Sequence, residues 1–198
     1  QSASMSFASA DNLPSKSTRA RTVALATAIL LIRGGERVGL TGETLPPRRG
    51  ESQITKLANI LSQDETADYG TPETSGMLPH SRALFVSDFM GNIDAFETAL
   101  LKAADLGVRG VMLQILDPQE ETFPFNGRTI FQSMQGGLQH ETLQAGDLKT
   151  RYLERLAERK DRLTHLARTT GWQFHTHHTN APATSALLWL YQALARSV

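Results

Sequence analysis

The chain has 198 residues, 40% hydrophobic and 20% charged, a make-up that suits one domain with a sizeable core and excludes a disordered chain. Lys plus Arg and Asp plus Glu each number 20, so the formal net charge is zero and no global field selects nucleic acid or a strongly charged partner. Cysteine is absent, which excludes disulfides, thiol catalysis and cysteine-ligated zinc.

No apolar run approaches the ~20 residues of a membrane helix. The longest, Val23 to Ile32, has the length of a buried helix. Gln1 to Asn12 is small and polar, without the basic start and apolar core of a signal peptide. No membrane contact is expected from this segment.

Gln1 to Ser6 is dense in small hydroxyl residues and reads as a loop. Lys16 to Arg33 reads as a largely buried helix that Gly34-Gly35 stops. Arg37 to Thr41 reads as a short strand, and Pro46 to Gly50 as a loop. Glu51 to Leu61 places Ile54, Leu57, Ala58 and Leu61 on one helical face. Asp64 to Pro79 reads as a long surface loop, of a length that often carries function.

Ala83 to Ser87 is an apolar run without alternation, as expected for a strand covered on both faces. Asp88-Phe89-Met90-Gly91 ends it, and a helix from Ile93 to Leu106 follows, stopped by Gly107. Gly110 to Leu116 reads as a second buried strand. From Thr122 to Gly146 the Asn126-Gly127 turn signal and the runs 129–134 and 138–143 point to a β-rich insertion. Asp147 to Thr169 reads as a long helix with Tyr152, Leu156, Leu163 and Leu166 buried. Asp147/Arg151 and Glu158/Arg162 form supportive pairs on it. Gly171 ends it, Trp172 to Thr176 is a last strand, and Pro182 to Ala195 a last helix. Strands alternating with helices predict a single α/β domain over residues 1–198, three-layer and doubly wound around a mostly parallel sheet. The chain opens on what reads as the loop after a strand, so the first strand of such a sheet is expected to be missing from it.

Three sets of residues have chemistry to offer. In open parallel sheets, ligands gather at the carboxyl ends of strands, where Asp88 falls. Ser2 and Ser4, two apart in an extended loop, turn their hydroxyls to one side, and with Asp88 they form a hard oxygen set suited to Mg²⁺. His175 and His177 share a strand face and suit zinc or a transition metal, or are hydrogen-bonded strand-end residues. Asp117, Glu120 and Glu121 offer paired carboxylates, or, more simply, an Asp-Pro turn with acids in a first helical turn. No GxSxG, Walker A, GxGxxG or HExxH pattern occurs.

Six stretches in order carry a resemblance: Ser2-Ala3-Ser4-Met5, Gly35 to Leu40, Leu45 to Gly50, Phe85 to Phe89, Leu116 to Glu120, and Gly171 to Pro182. Together they resemble a von Willebrand factor A-like domain, and more closely the bacterial family called domain of unknown function 58, associated with MoxR-type AAA ATPases. The resemblance implies a metal-ion-dependent adhesion motif (MIDAS) at Ser2, Ser4, Thr71 and Asp88, with Thr66 and Thr74 competing for the threonine place. The motif's opening Asp would fall immediately before Gln1. The resemblance further implies Mg²⁺ as cofactor and a non-enzymatic, cytoplasmic protein-interaction module. Its partner would be a MoxR-type AAA ATPase or its client, with no nucleic acid involved. The alternative is a metal-dependent hydrolase using Asp88, Asp117 and the His175/His177 pair.

Overall fold

Three parallel strands form the centre of the molecule: β1 (Arg82–Ser87), β2 (Arg109–Leu116) and β5 (Gln173–His178), in the order β1-β2-β5. The computed structural model describes residues 3–43, 46–63, 72, 74–124, 129–132, 139–142 and 145–196, and between 125 and 147 only backbone. Around the sheet run α1 (Lys16–Arg33), α2 (Glu51–Ser62), α3 (Ile93–Asp105), α4 (Pro118–Thr122), α5 (Ala145–Thr170) and α6 (Ala183–Arg196). A 3₁₀ turn, Ala3–Ser6, precedes α1. The sheet is thus α/β and parallel, as the alternating pattern predicts.

Side chains alternate across the pleat and sort the helices into two layers. Val111, Leu113 and Ile115 of β2, with Leu84 and Val86 of β1, meet Val23 of α1 and Ala186, Leu190 and Ala193 of α6. Met112, with Phe85 and Phe174, meets Phe96 and Leu100 of α3 and Leu163 and Leu166 of α5. Every residue from Val111 to Leu116 is fully buried, in line with the buried strand expected over Gly110 to Leu116. Gln114 breaks that run in composition only, because its amide finds partners on both sides, as described below.

The helix stops work by local chemistry. Gly107 takes a left-handed φ of 70°, and the Val108 amide closes back on the Ala103 carbonyl at 3.0 Å. Asn92 caps the other end of α3, accepting from the Asp94 and Ala95 amides at 3.0 and 3.2 Å.

Two expectations need correction. Arg37 to Thr41 is not a strand: only Val38 and Arg48 pair, as a single antiparallel bridge at 3.0 and 3.1 Å. Gly39 lies flat against Pro47, whose atoms would sit 3.2 Å from an added Cβ, and Pro46-Pro47 offers no amide to extend a ladder. Arg162 does not pair with Glu158 along α5. It crosses to α3, reaching Asp94 at 2.6 Å and Glu97 at 2.5 Å.

The insertion contains an antiparallel strand pair, β3 (Thr129–Gln132) and β4 (Gln139–Thr142), within the runs expected at 129–134 and 138–143, whose remaining residues lie outside the described ones. The Asn126-Gly127 signal and Asp147/Arg151 pairing lie outside the described residues or side chains, as does most of the loop from 64 to 73.

Gly110 sits where β1, β2 and the Trp172 ring converge. A Cβ there would meet the Ala83 carbonyl and lie 2.9 Å from the indole. Trp172 cannot retreat freely, since it stacks on Phe85 and donates to the Val108 carbonyl at 3.1 Å. Gly110→Ala is therefore expected to cost about 1–3 kcal/mol by overpacking, read as a lower urea midpoint at unchanged slope.

Candidate functional site

Asp88, Asp117 and Thr179 each follow directly on the last residue of β1, β2 and β5. The parallel register brings them to one end of the sheet, and all three are at most 1% exposed. Polar residues this deep must find partners, and those partners build the site.

The segment leading into α1 and the start of that helix lie along this edge and together touch the end of every strand. Met5 Sδ accepts the Asp88 amide at 3.2 Å. The Ser9 amide donates to Asp117 Oδ2 at 2.9 Å. Arg19 donates to the Thr179 carbonyl at 2.9 Å. Lys16, the first residue of α1, sends its ammonium between two acids: Asp88 Oδ2 at 3.0 Å and Glu120 Oε1 at 2.6 Å. Lys16 is 1% exposed. Burial opposes its charge, but Asp88 and Glu120 outweigh burial and hold the ammonium above the usual lysine value.

The loop after β1 is held tightly. Asp88 Oδ1 accepts the Met90 amide at 3.1 Å, and Ser87 Oγ the Phe89 amide at 3.1 Å. Phe89 adopts a left-handed φ of 55°, uncommon outside glycine. Its buried ring packs edge-on against Phe96 at 4.8 Å, which keeps it there. Beneath, the buried Gln114 side chain donates to the Asp88 carbonyl at 3.0 Å and accepts from Thr176 Oγ1 at 2.9 Å. One amide in β2 thus ties both neighbouring strands to the site.

Asp117 caps α4, accepting the Gln119 amide at 2.9 Å, while Glu120 Oε2 accepts the Asp117 amide at 2.8 Å, a complete capping box. Burial pushes the Asp117 carboxyl up, but the bonds from Ser9, Gln119 and Thr179 prevail and hold it below the usual range. For Glu120 burial prevails over Lys16 and raises its carboxyl. Tyr152 of α5 packs on Phe123 at 5.1 Å; burial and the acids Glu120, Asp88 and Glu121 keep its phenol protonated. Glu121 forms the outer rim with Lys160 and with His178 Nε2, the latter at 2.8 Å.

The expected site residues fall unevenly. Ser2 and Thr71 lie outside the described residues. Ser4 is half-buried in the 3₁₀ turn, and Asp88 is at the centre. Asp117, Glu120 and Glu121 follow the simpler reading of an Asp-Pro turn with acids in a first helical turn. His175 and His177 share the face that packs on α1 and α6: His175 stacks on Trp189 at 4.7 Å, and His177 is 3% exposed. Among the described residues no three His, Asp or Glu side chains gather as a metal-holding group. Sequence reasoning missed Lys16 and the joining of Glu120 to Asp88. The one local hint was a lysine in a first helical turn, where the helix dipole disfavours a cation.

As they stand, the described residues do not fit a divalent cation at Asp88. A metal 2.0–2.1 Å from Oδ2 would lie within about 5 Å of the ammonium, whose own distance to that oxygen is 3.0 Å. Their repulsion is on the order of 6 kcal/mol at an effective dielectric of ~20.

The family model described as "Protein of unknown function DUF58" matches residues 1–162. The chain belongs to the DUF58 family. This DUF58 chain is also similar in fold to two solved structures. One is a conserved hypothetical protein, BatB, from Bacteroides thetaiotaomicron, with 14% identity over 99% of this chain and 94% of that one, at a TM-score of 0.51. The other is an aerotolerance-related membrane protein from Bacteroides fragilis NCTC 9343, crystallised with multiple mutations to serines. It shows 15% identity over 98% and 94% of the two chains, at a TM-score of 0.52. No curated protein matches. Among the described residues of the DUF58 chain, no helix is long and apolar enough to cross a membrane.

Proposed function

We propose that this chain is a non-enzymatic protein-interaction module that presents the carboxyl-end edge of its sheet to a protein partner. The observation that supports this reading is the commitment of the site's acids. Asp88 is held by Lys16 and the Met90 amide, Asp117 by the Ser9 and Gln119 amides, and Glu120 by Lys16 and the Asp117 amide. These groups shape a rigid loop platform; they are not poised over a reacting atom. The partly exposed rim of Glu121, Lys160 and His178 is the part a partner would meet. The resemblance to MoxR-associated proteins makes the partner a MoxR-type AAA ATPase or its client, in cytoplasmic complex assembly or maturation. Mg²⁺ bridging a partner's acid is the adhesion-type form of this proposal, and it needs the ammonium of Lys16 to give way.

Calorimetric titration of this chain with a purified MoxR-type ATPase tests the reading. Binding is expected, and Glu121→Lys is expected to weaken it roughly tenfold by reversing a rim charge while leaving the circular dichroism spectrum unchanged. No heat from the wild type, or turnover of ester or phosphoester substrates that vanishes in Asp117→Asn, would overturn it.

A further inference from the structure

We infer that the Lys16 ammonium is a built-in counter-ion that stands in the place of a divalent cation, so that this chain holds its carboxyl-end edge together without metal. Two acids from different loops, Asp88 after β1 and Glu120 in α4, converge on one nitrogen at 3.0 and 2.6 Å. That is what a bridging metal does: it gathers oxygens distant in sequence onto one point. Here Lys16 does so across 72 and 104 residues of chain.

The charge count supports the same assignment. Asp88 and Glu120 bring two negative charges and Lys16 one positive. The Met90 amide on Asp88 Oδ1 and the Asp117 amide on Glu120 Oε2 solvate the remaining oxygens. A dication would have to be added beside the ammonium already there, against their mutual repulsion. Removing the lysine stem reverses this: two carboxylate oxygens then face a gap about the size of an ammonium, close to the 2.3–2.6 Å reach of a larger hard cation after slight closure. The inference does not depend on partner binding, which is read separately.

The test is a thermal melt of the full chain with Mg²⁺ or Mn²⁺ alone, paired with Mn²⁺ electron paramagnetic resonance. The wild type is expected to melt at the same temperature in chelator and in ~5 mM metal, with no bound Mn²⁺ signal. Lys16→Ala is expected to melt lower and to recover by about 3 °C or more in ~5 mM Mn²⁺. Lys16→Ala/Glu120→Gln should lose that recovery. A wild type that binds Mg²⁺ with a rise in melting temperature abolished by Asp88→Asn would overturn the inference. So would a folded Lys16→Ala that takes up no metal. If Lys16→Ala does not fold, the wild-type titration decides alone.

Discussion

Lys16→Met is expected to lower the unfolding free energy by about 3–5 kcal/mol, the usual cost of breaking a buried ion pair from one side. The side chain is 2% exposed, as is that of Asp88, and that of Glu120 is 15% exposed. Methionine fills the stem's volume but leaves two carboxylates sharing a dry place without a cation. The remedy open to the variant is protonation, for which Glu120 is already inclined by burial. The loss should therefore shrink as pH falls toward 5, and Lys16→Met/Glu120→Gln should recover part of it at neutral pH. Urea titrations of the three proteins at two pH values measure this. A loss below about 1 kcal/mol would place the cluster in solvent-like surroundings. In the wild type the ammonium's elevated pKa makes its contribution complete at neutral pH. The contribution fades only as pH climbs past the ordinary lysine value of 10.5.

His177 is expected to give the wild type an acid-side slope in stability. Its ring is buried beneath the α1 and α6 layer, Nε2 has no hydrogen-bond partner, and the sheet register sets it beside Ile115. Burial first, then the positive charge of Arg19 and the neighbouring His175 and His178, lower its pKa to about 4. The unfolded chain takes up a proton near the ordinary histidine value of 6.5, while the folded chain resists until about 4. In that window the unfolded state binds more protons, so stability falls as pH falls. The whole step is on the order of 3 kcal/mol. Glu120, whose carboxyl is raised, contributes with the opposite sign, so the difference between proteins is the clean readout. His177→Leu is expected to flatten the curve between pH 6.5 and 4 relative to wild type. Parallel curves for the two proteins would show that the ring is already free to protonate in the fold.

Much of the architecture was legible because it rests on local rules. Gly110 to Leu116 reads as a buried strand from its mostly apolar residues, and Gly107 and Gly171 end their helices by taking left-handed φ values of 70° and 72°. Asp117-Pro118 and the acids after it read as a strand-end turn into a first helical turn, where the structure forms a capping box. Asp88 at the end of an apolar strand marks the edge where the site lies. The short strand expected at Arg37 to Thr41 failed because its partner segment, with Pro46-Pro47 packed on Gly39, cannot donate a second rung.

What the tertiary structure alone decided is which charges meet. Lys16 reads as the first residue of a buried helix, and Glu120 as an acid in a first helical turn. No spacing rule links them to each other or to Asp88, because their contacts cross 72 and 104 residues. Local periodicity carries the facing of a helix or strand, since neighbours three or four, or two, apart share a side. The joining of one ammonium to two distant carboxylates depends on where three loop ends stop in space, and that is set only when the parallel register aligns the ends of β1 and β2 beneath the start of α1.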